Sequence, residues 1–354
     1  MIGLVVTPGA PDSMRLEDAE PPHLDGQDSV LVRTLEVGVC GTDRTIRGGG
    51  YGAAPAGADQ LVVGHEAVGV VERPGGPFQQ GDLVAPTVRR PCGECSNCAA
   101  GEMDACTTGR FQERGILGRH GFASEVFAER SEYLVPIPKA LGRLGVLAEP
   151  ASIAERGLRH AYAVGKRQGW EPRRAIVLGI GAIGMLTVYL LRLRGVETWA
   201  MARRPATSTR AELVRACGAG YVSTSETPLT ELASDIGGPD LIMEAAGSPE
   251  LVVEAVGALG INGVLCVRGI DADRRPLEVD STLFTENLVL YNKSVIGSTN
   301  AGPDDWPQGV RDLESIAQHW PDALPRIVGL SVPPDRFAEA LEFRDGVKAT
   351  ISFS

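Results

Sequence analysis

The sequence predicts an α/β protein in which a doubly wound parallel sheet is joined to a less regular, mostly β region. Three observations carry this. Residues 1–150 are dense in glycine and proline and lack any strand–helix rhythm, as an irregular all-β region would. From residue 175 onward, short β-rich runs alternate with helical runs at the interval of βαβ units. Gly179-x-Gly181-x-x-Gly184 stands where the first of those strands meets its helix.

Size and charge set the bounds. A chain of 354 residues has room for two domains. No apolar run approaches the ~18–20 residues of a membrane span. The N-terminal MIGLVVTPGAPDSM has no basic segment followed by a long apolar stretch, so no signal peptide is expected and the cytoplasm is the expected compartment. A net charge of −11 without a large basic cluster argues against nucleic acid and anionic membrane as partners.

Along the chain, the first residues that suggest chemistry are Cys40 in VGVCGTDRTIRGG (37–49) and His65 and Glu66 in VVGHEAVGVV (62–71), joined much later by Glu149 in LAEPAS (147–152). Soft and hard ligands drawn from separated segments suit a catalytic zinc with an exchangeable position. Spacing alone does not specify this grouping. Taken singly, Cys40 reads equally as a small core residue and His65 as a satisfied core histidine.

Residues 92–106, CGECSNCAAGEMDAC, hold Cys92, Cys95, Cys98 and Cys106 in the spacing C-x2-C-x2-C-x7-C. In a reducing compartment, clustered cysteines are metal ligands more often than disulfides. The two-residue gaps let neighbouring thiolates converge on one ion, with Gly93 easing the turn. A ferredoxin-type cluster would shorten the last gap and add a proline after it. Four thiolates around Zn²⁺ make a closed structural site with no position left for water.

Residues 175–195, AIVLGIGAIGMLTVYLLRLRG, then read as strand, glycine turn and helix. Gly179 allows the tight turn, and Gly181 lets the backbone of the turn, with Ala182 and Ile183, approach a pyrophosphate. Gly184 lets strand and helix touch, and the helix N-terminus faces the phosphate. The alternation continues with ETWAMA as strand, TRAELVRACGA as helix, DLIMEAAG as strand, PELVVEAVGALG as helix and GVLCVRG as strand. A fold selective for NAD usually carries Asp or Glu after its second strand. Here that strand runs into Arg203 and Arg204, which suit a 2′-phosphate. NADP is therefore the expected cofactor, with some use of NAD. A solvated surface turn would also account for two arginines.

In their order, CGTD, GHE, the four-cysteine loop, EP and GxGxxG resemble the zinc-dependent medium-chain dehydrogenase/reductase superfamily over the whole chain. Within it the chain is most similar to the microbial glucose (aldose) 1-dehydrogenases, through CGTDR (40–44), VRRPCGEC (88–95), ERGILGRHGF (113–122), LVLYNKSVIGSTN (288–300) and the Arg-Arg pair. The resemblance implies a GroES-like β-barrel catalytic domain over 1–153, completed by 297–354, and a Rossmann NADP-binding domain over 154–296, with the catalytic cleft between them. GVKATISFS at the C-terminus reads as a closing strand. A homodimer or homotetramer is implied as well.

The resemblance also implies two zinc ions and assigns Cys40, His65, Glu66 and Glu149 to the catalytic one, with the two glutamates alternating between direct and water-mediated contact. Thr42 would carry the substrate proton outward. Asp43 would orient the ligands, unless it only stabilises the turn. The implied reaction is oxidation of the anomeric hydroxyl of glucose or a related aldose to the lactone, with Glu113 and Asn300 as contacts to sugar hydroxyls. His120 reads as structural, and residues 47–60 would shape the cleft. Many alcohol dehydrogenases of the superfamily complete a proton relay with a histidine soon after CGTD. Here Arg44-Thr45-Ile46 takes its place, which resembles the sugar-oxidising members. Two other functions stay open: a dehydrogenase for another polyol, cyclitol, amino-sugar precursor or secondary alcohol, and a non-catalytic NADP-binding zinc protein.

Overall fold

Strand Ser29–Val39 organises the N-terminal region. It is flanked by Glu66–Arg73 on one side and the C-terminal strand Lys348–Ser352 on the other, both antiparallel to it. The computed structural model describes residues 1–24, 26–166, 169–270 and 276–353. Among these, the strand belongs to a seven-stranded sheet in the order Leu134–Ile137, Leu83–Pro86, Glu66–Arg73, Ser29–Val39, Lys348–Ser352, Val328–Val332, with Val126–Arg130 also on Ser29–Val39. The side chains of Val30, Val32, Val37 and Val39 are buried, with Phe122 and Phe127 in the same core, their rings 4.8 Å apart. Register shifts at Leu31/Val32 and Thr34/Glu36 break the alternation of this strand, as β-bulges do. That irregularity is one reason its rhythm is hard to read in the sequence.

The chain divides into two compact units: Met1–Ser152 with Gly302–Ala317 and Leu324–Ser354, and Ile153–Ala301 with Gln318–Ala323. In the second unit, six parallel strands run in the order Gly220–Ser223, Glu197–Ala202, Arg174–Leu178, Leu241–Glu244, Val264–Val267, Ser294–Gly297. This is the doubly wound order with its switch point beside Arg174–Leu178. The strand and helix runs expected from 175 to 269 appear at those places. Helix Leu229–Asp235 and strand Gly220–Ser223 also appear and carry no comparable signal in the sequence. Apolar strands buried on both faces give this sheet its core, including Ile176, Leu178, Ile242 and Leu265.

Candidate active site and metal centres

Strand register explains why distant residues meet. Gly38 pairs with Glu66, so Cys40, just past one strand, comes beside His65, just before the other. Cys40 Sγ lies 3.1 Å from His65 Nε2. Cys40 also caps the short helix Gly41–Arg47: its sulfur accepts the Thr42 N–H at 3.2 Å, and Asp43 Oδ2 accepts the Cys40 N–H at 2.8 Å. Asp43 Oδ1 faces His65 Nδ1 at 3.5 Å, too far for a good hydrogen bond. Among the described residues neither atom has another partner, although both side chains are buried.

Cys40, Asp43 and His65 thus bring a sulfur, a carboxylate oxygen and a ring nitrogen within 4.8 Å of one another. This donor set fits zinc. Burial alone would lower the pKa of His65, but the attraction of Cys40 and Asp43 overcomes it and holds the pKa well above the usual value. A pair that holds a proton this firmly offers the same lone pairs to a metal.

Glu66 and Glu149 do not join that trio within ligand distance. Both Glu66 oxygens contact Lys348 Nζ, at 2.7 and 2.5 Å, with both residues buried. The two residues sit on strands either side of Ser29–Val39, and they meet across its C-terminal end. They do so at Gly38, where a Cβ would collide with Glu66 Oε2. Glu149 lies in the first turn of helix Ala148–Lys166. Burial and the charge of Glu66 push its pKa up to about 7. Neither Lys348 nor Gly38 was anticipated. The available signal was a lone lysine inside the closing strand.

The expected sugar contacts are placed differently from each other. Glu113 is buried, and its Oε1 accepts from Arg89 Nη2 at 2.8 Å and Nε at 3.2 Å. Asn300 lies in the second unit with φ +57°, a left-handed conformation that asparagine tolerates. His120 Nδ1 accepts the Val62 N–H at 3.1 Å, and burial with the nearby Arg114 lowers its pKa. The ring is thus a neutral acceptor tying two segments together.

The four cysteines Cys92, Cys95, Cys98 and Cys106 converge within 4.8 Å. Cys95 Sγ and Cys98 Sγ are 3.3 Å apart, and Cys92 Sγ and Cys98 Sγ 3.8 Å apart. Backbone N–H groups of Cys98 and Thr107 bring the Cys95 pKa down to about 5, whereas burial and the neighbouring Cys95 sulfur push Cys98 up to about 12. Cys98 therefore keeps its proton while Cys95 can ionise, and a tetrahedral Zn²⁺ fits the set.

In the second unit, Gly179 has φ +92°, and Gly181 stands at the N-cap of helix Ala182–Leu193. A Cβ on Gly184 would strike the Gly179 carbonyl oxygen. This is the strand–turn–helix cradle that a dinucleotide pyrophosphate requires, so the residues fit NADP. After Glu197–Ala202 the loop is held by the Tyr221 hydroxyl, which donates to Arg204 O at 2.6 Å, and Arg203 is exposed. The buried Glu244, also not anticipated, accepts from Ala246, Gly247 and Gly269 N–H groups and ties two strand ends together.

Comparison with known proteins agrees with this fold. Residues 26–139 match the alcohol dehydrogenase GroES-like domain, and residues 142–353 match the glucose dehydrogenase C-terminus. Glucose 1-dehydrogenase of Methanocella arvoryzae is 40% identical over 97% of this chain and 96% of its own. Glucose 1-dehydrogenase 1 of Caldivirga maquilingensis is 37% identical over 100% and 99%. The structure of Haloferax mediterranei glucose dehydrogenase in complex with NADP, Zn and gluconolactone superimposes with a TM-score of 0.92 at 35% identity, covering 100% of this chain and 99% of that one. With a GroES-like region, a Rossmann sheet and relatives alike from end to end, the chain belongs to the zinc-dependent medium-chain dehydrogenase/reductase superfamily, in its glucose dehydrogenase family.

Proposed function

We propose that this protein oxidises the anomeric hydroxyl of glucose, or of a closely related aldose, to the lactone with NADP⁺, and accepts NAD⁺ less well. The observation that carries this reading is the Cys40–Asp43–His65 donor set in a chain whose full length matches glucose 1-dehydrogenases. The Haloferax mediterranei relative was solved with gluconolactone, which is glucose oxidised at C1.

In the reaction C1 loses a hydride and O1 loses a proton, leaving the lactone carbonyl and NADPH. When bound, zinc supplies a Lewis acid for the reacting hydroxyl and the nicotinamide supplies the hydride acceptor. Cys40 and His65 hold the ion, and Asp43 keeps His65 oriented through Nδ1. Glu66 is held by Lys348 and neither glutamate lies within ligand distance of the trio, so Glu66 and Glu149 would have to move to reach the ion, alternating between direct and water-mediated contact. Thr42 carries the proton outward. Glu113 keeps Oε2 for a sugar hydroxyl while Oε1 stays on Arg89, and Asn300 makes the second contact. Cys92, Cys95, Cys98 and Cys106 hold the structural zinc.

A screen of aldoses, polyols and secondary alcohols with NADP⁺, followed by the absorbance of the reduced cofactor, tests the reading. Turnover of secondary alcohols or cyclitols without any aldose would overturn it. Among the described residues no helix is long and apolar enough to cross a membrane, and the reduced four-cysteine set suits the cytoplasm. A homodimer or homotetramer is supported by Val289 and Leu290, 70% and 72% exposed, near the edge strand Ser294–Gly297. Light scattering gives the mass that decides it.

A further inference from the structure

Strands Arg89–Arg90, Gln112–Arg114 and Gly118–Arg119 form a small sheet in which Arg114 and Arg119 are register partners. Like charges opposite one another destabilise a sheet. Beside it is a cavity of ≈ 440 Å³ lined by Arg90, Arg110, Arg119 and Arg130 together with Phe111 and Tyr133. No carboxylate lines it. With Arg114, five guanidiniums gather here in a chain whose net charge is −11, and three carboxylates answer them. Glu129, itself buried, serves Arg90 at 2.5 Å and Arg114 at 3.4 Å. Glu94 pairs with Arg110, and Glu132 pairs with Arg130 at 2.9 Å. The Arg119 guanidinium has no ion pair or hydrogen bond among the described residues, and Arg90 Nε is buried without a hydrogen-bond partner.

We infer that this cavity is a second anion site, binding a phosphate group, free or as the monoester of a small molecule. Planar guanidiniums match phosphate oxygens in pairs, and the volume falls within the roughly 300–1,000 Å³ of small-ligand sites. Arg90 is a rigid wall, stacked 4.0 Å over the Tyr133 ring and bonded to Thr87. Arg110 and Arg130 are more than half exposed, as are their glutamates. Exposed pairs of this kind contribute little, so both arginines can turn to an incoming dianion. Arg90 and Arg119 raise the electrostatic cost of charging Arg114: burial first, then repulsion from Arg90 and from Arg119, lowers its pKa to about 10. A bound anion relieves that repulsion.

The test is calorimetric titration of the zinc-loaded protein with phenyl phosphate and, separately, with inorganic phosphate, each with and without saturating NADP⁺. The expected result is one site per chain that NADP⁺ does not compete for and that weakens with ionic strength. Tighter binding of phenyl phosphate assigns the site to an ester, equal binding to the free ion, and either supports the inference. Arg119→Ala, at a half-exposed position, should weaken binding roughly ten- to a hundredfold with zinc content, oligomeric mass and glucose turnover unchanged. Absence of binding at millimolar ligand, competition by NADP⁺, or unchanged affinity in Arg119→Ala would overturn it. So would loss of zinc or a changed mass in that variant, because the arginines would then be neutralising the adjoining thiolates or a second subunit.

Discussion

Lys348 and Glu66 are 2% and 3% exposed at the side chain and meet at 2.5 Å. A buried pair of this kind is weak evidence for stability, but removing one partner strands the other charge, at a cost of about 3–5 kcal/mol. Lys348→Met should therefore lower stability to denaturant by that order, and adding Glu66→Gln should recover much of it. If Lys348→Met unfolds like the parent protein, the pair does not have the role its burial implies. The arginines after the second Rossmann strand lead to a different measurement. Arg203→Ala and Arg204→Ala should reduce kcat/KM for NADP roughly ten- to a hundredfold while largely sparing NAD. Equal losses with both cofactors would remove the arginines from phosphate recognition. At this scale the sequence was informative where chemistry is local. Cys40 and His65 are marked by their types. Glu66 is marked by its neighbour His65, yet its partner Lys348 stands 282 positions away, and nothing local announces it.

The four-cysteine loop is an element with little regular structure: a helix of four residues, Ser96–Ala99, and a short 3₁₀ turn, Met103–Ala105. Its shape depends on the thiolates being held together. Cys95→Ser should therefore lower the melting temperature and release zinc, because the binding energy of a closed site is folding energy. NADP affinity should change little. A Cys95→Ser protein as stable as the parent but inactive would reverse the roles assigned to the two metal sets. The Rossmann elements were legible because each strand and helix is a continuous run with its own period and turn glycine. The N-terminal strands were not, since many span only two to five residues and their partners are set by distant pairing and bulges.

For the whole molecule, two separate ligand sets predict two zinc ions per chain, and the sets should respond differently to pH. The Cys40–His65 pair binds its proton more firmly than a free histidine does. Zinc must displace that proton, so its affinity for this set should rise with pH up to the raised pKa of His65. Elemental analysis with chelator competition at several pH values checks this, and Cys40→Ser should lose one zinc and keep the other. A single zinc unaffected by Cys40→Ser would remove the catalytic assignment.

The central sheet of the first unit places Lys348–Ser352 between Ser29–Val39 and Val328–Val332. During synthesis, Glu66 leaves the ribosome long before its lysine exists. At about 5–20 residues per second the wait is roughly 15–60 s, and the whole second unit is made in the interval. Residues 153–301 are contiguous and can fold as they emerge. The end of the strand that leads into Cys40, Glu36–Val39, must meanwhile hold an open edge. The late-made strand Lys348–Ser352 therefore closes the sheet near the first metal ligand, and an arrested or truncated chain ending before Lys348 would carry a formed dinucleotide cradle and an unfinished active site.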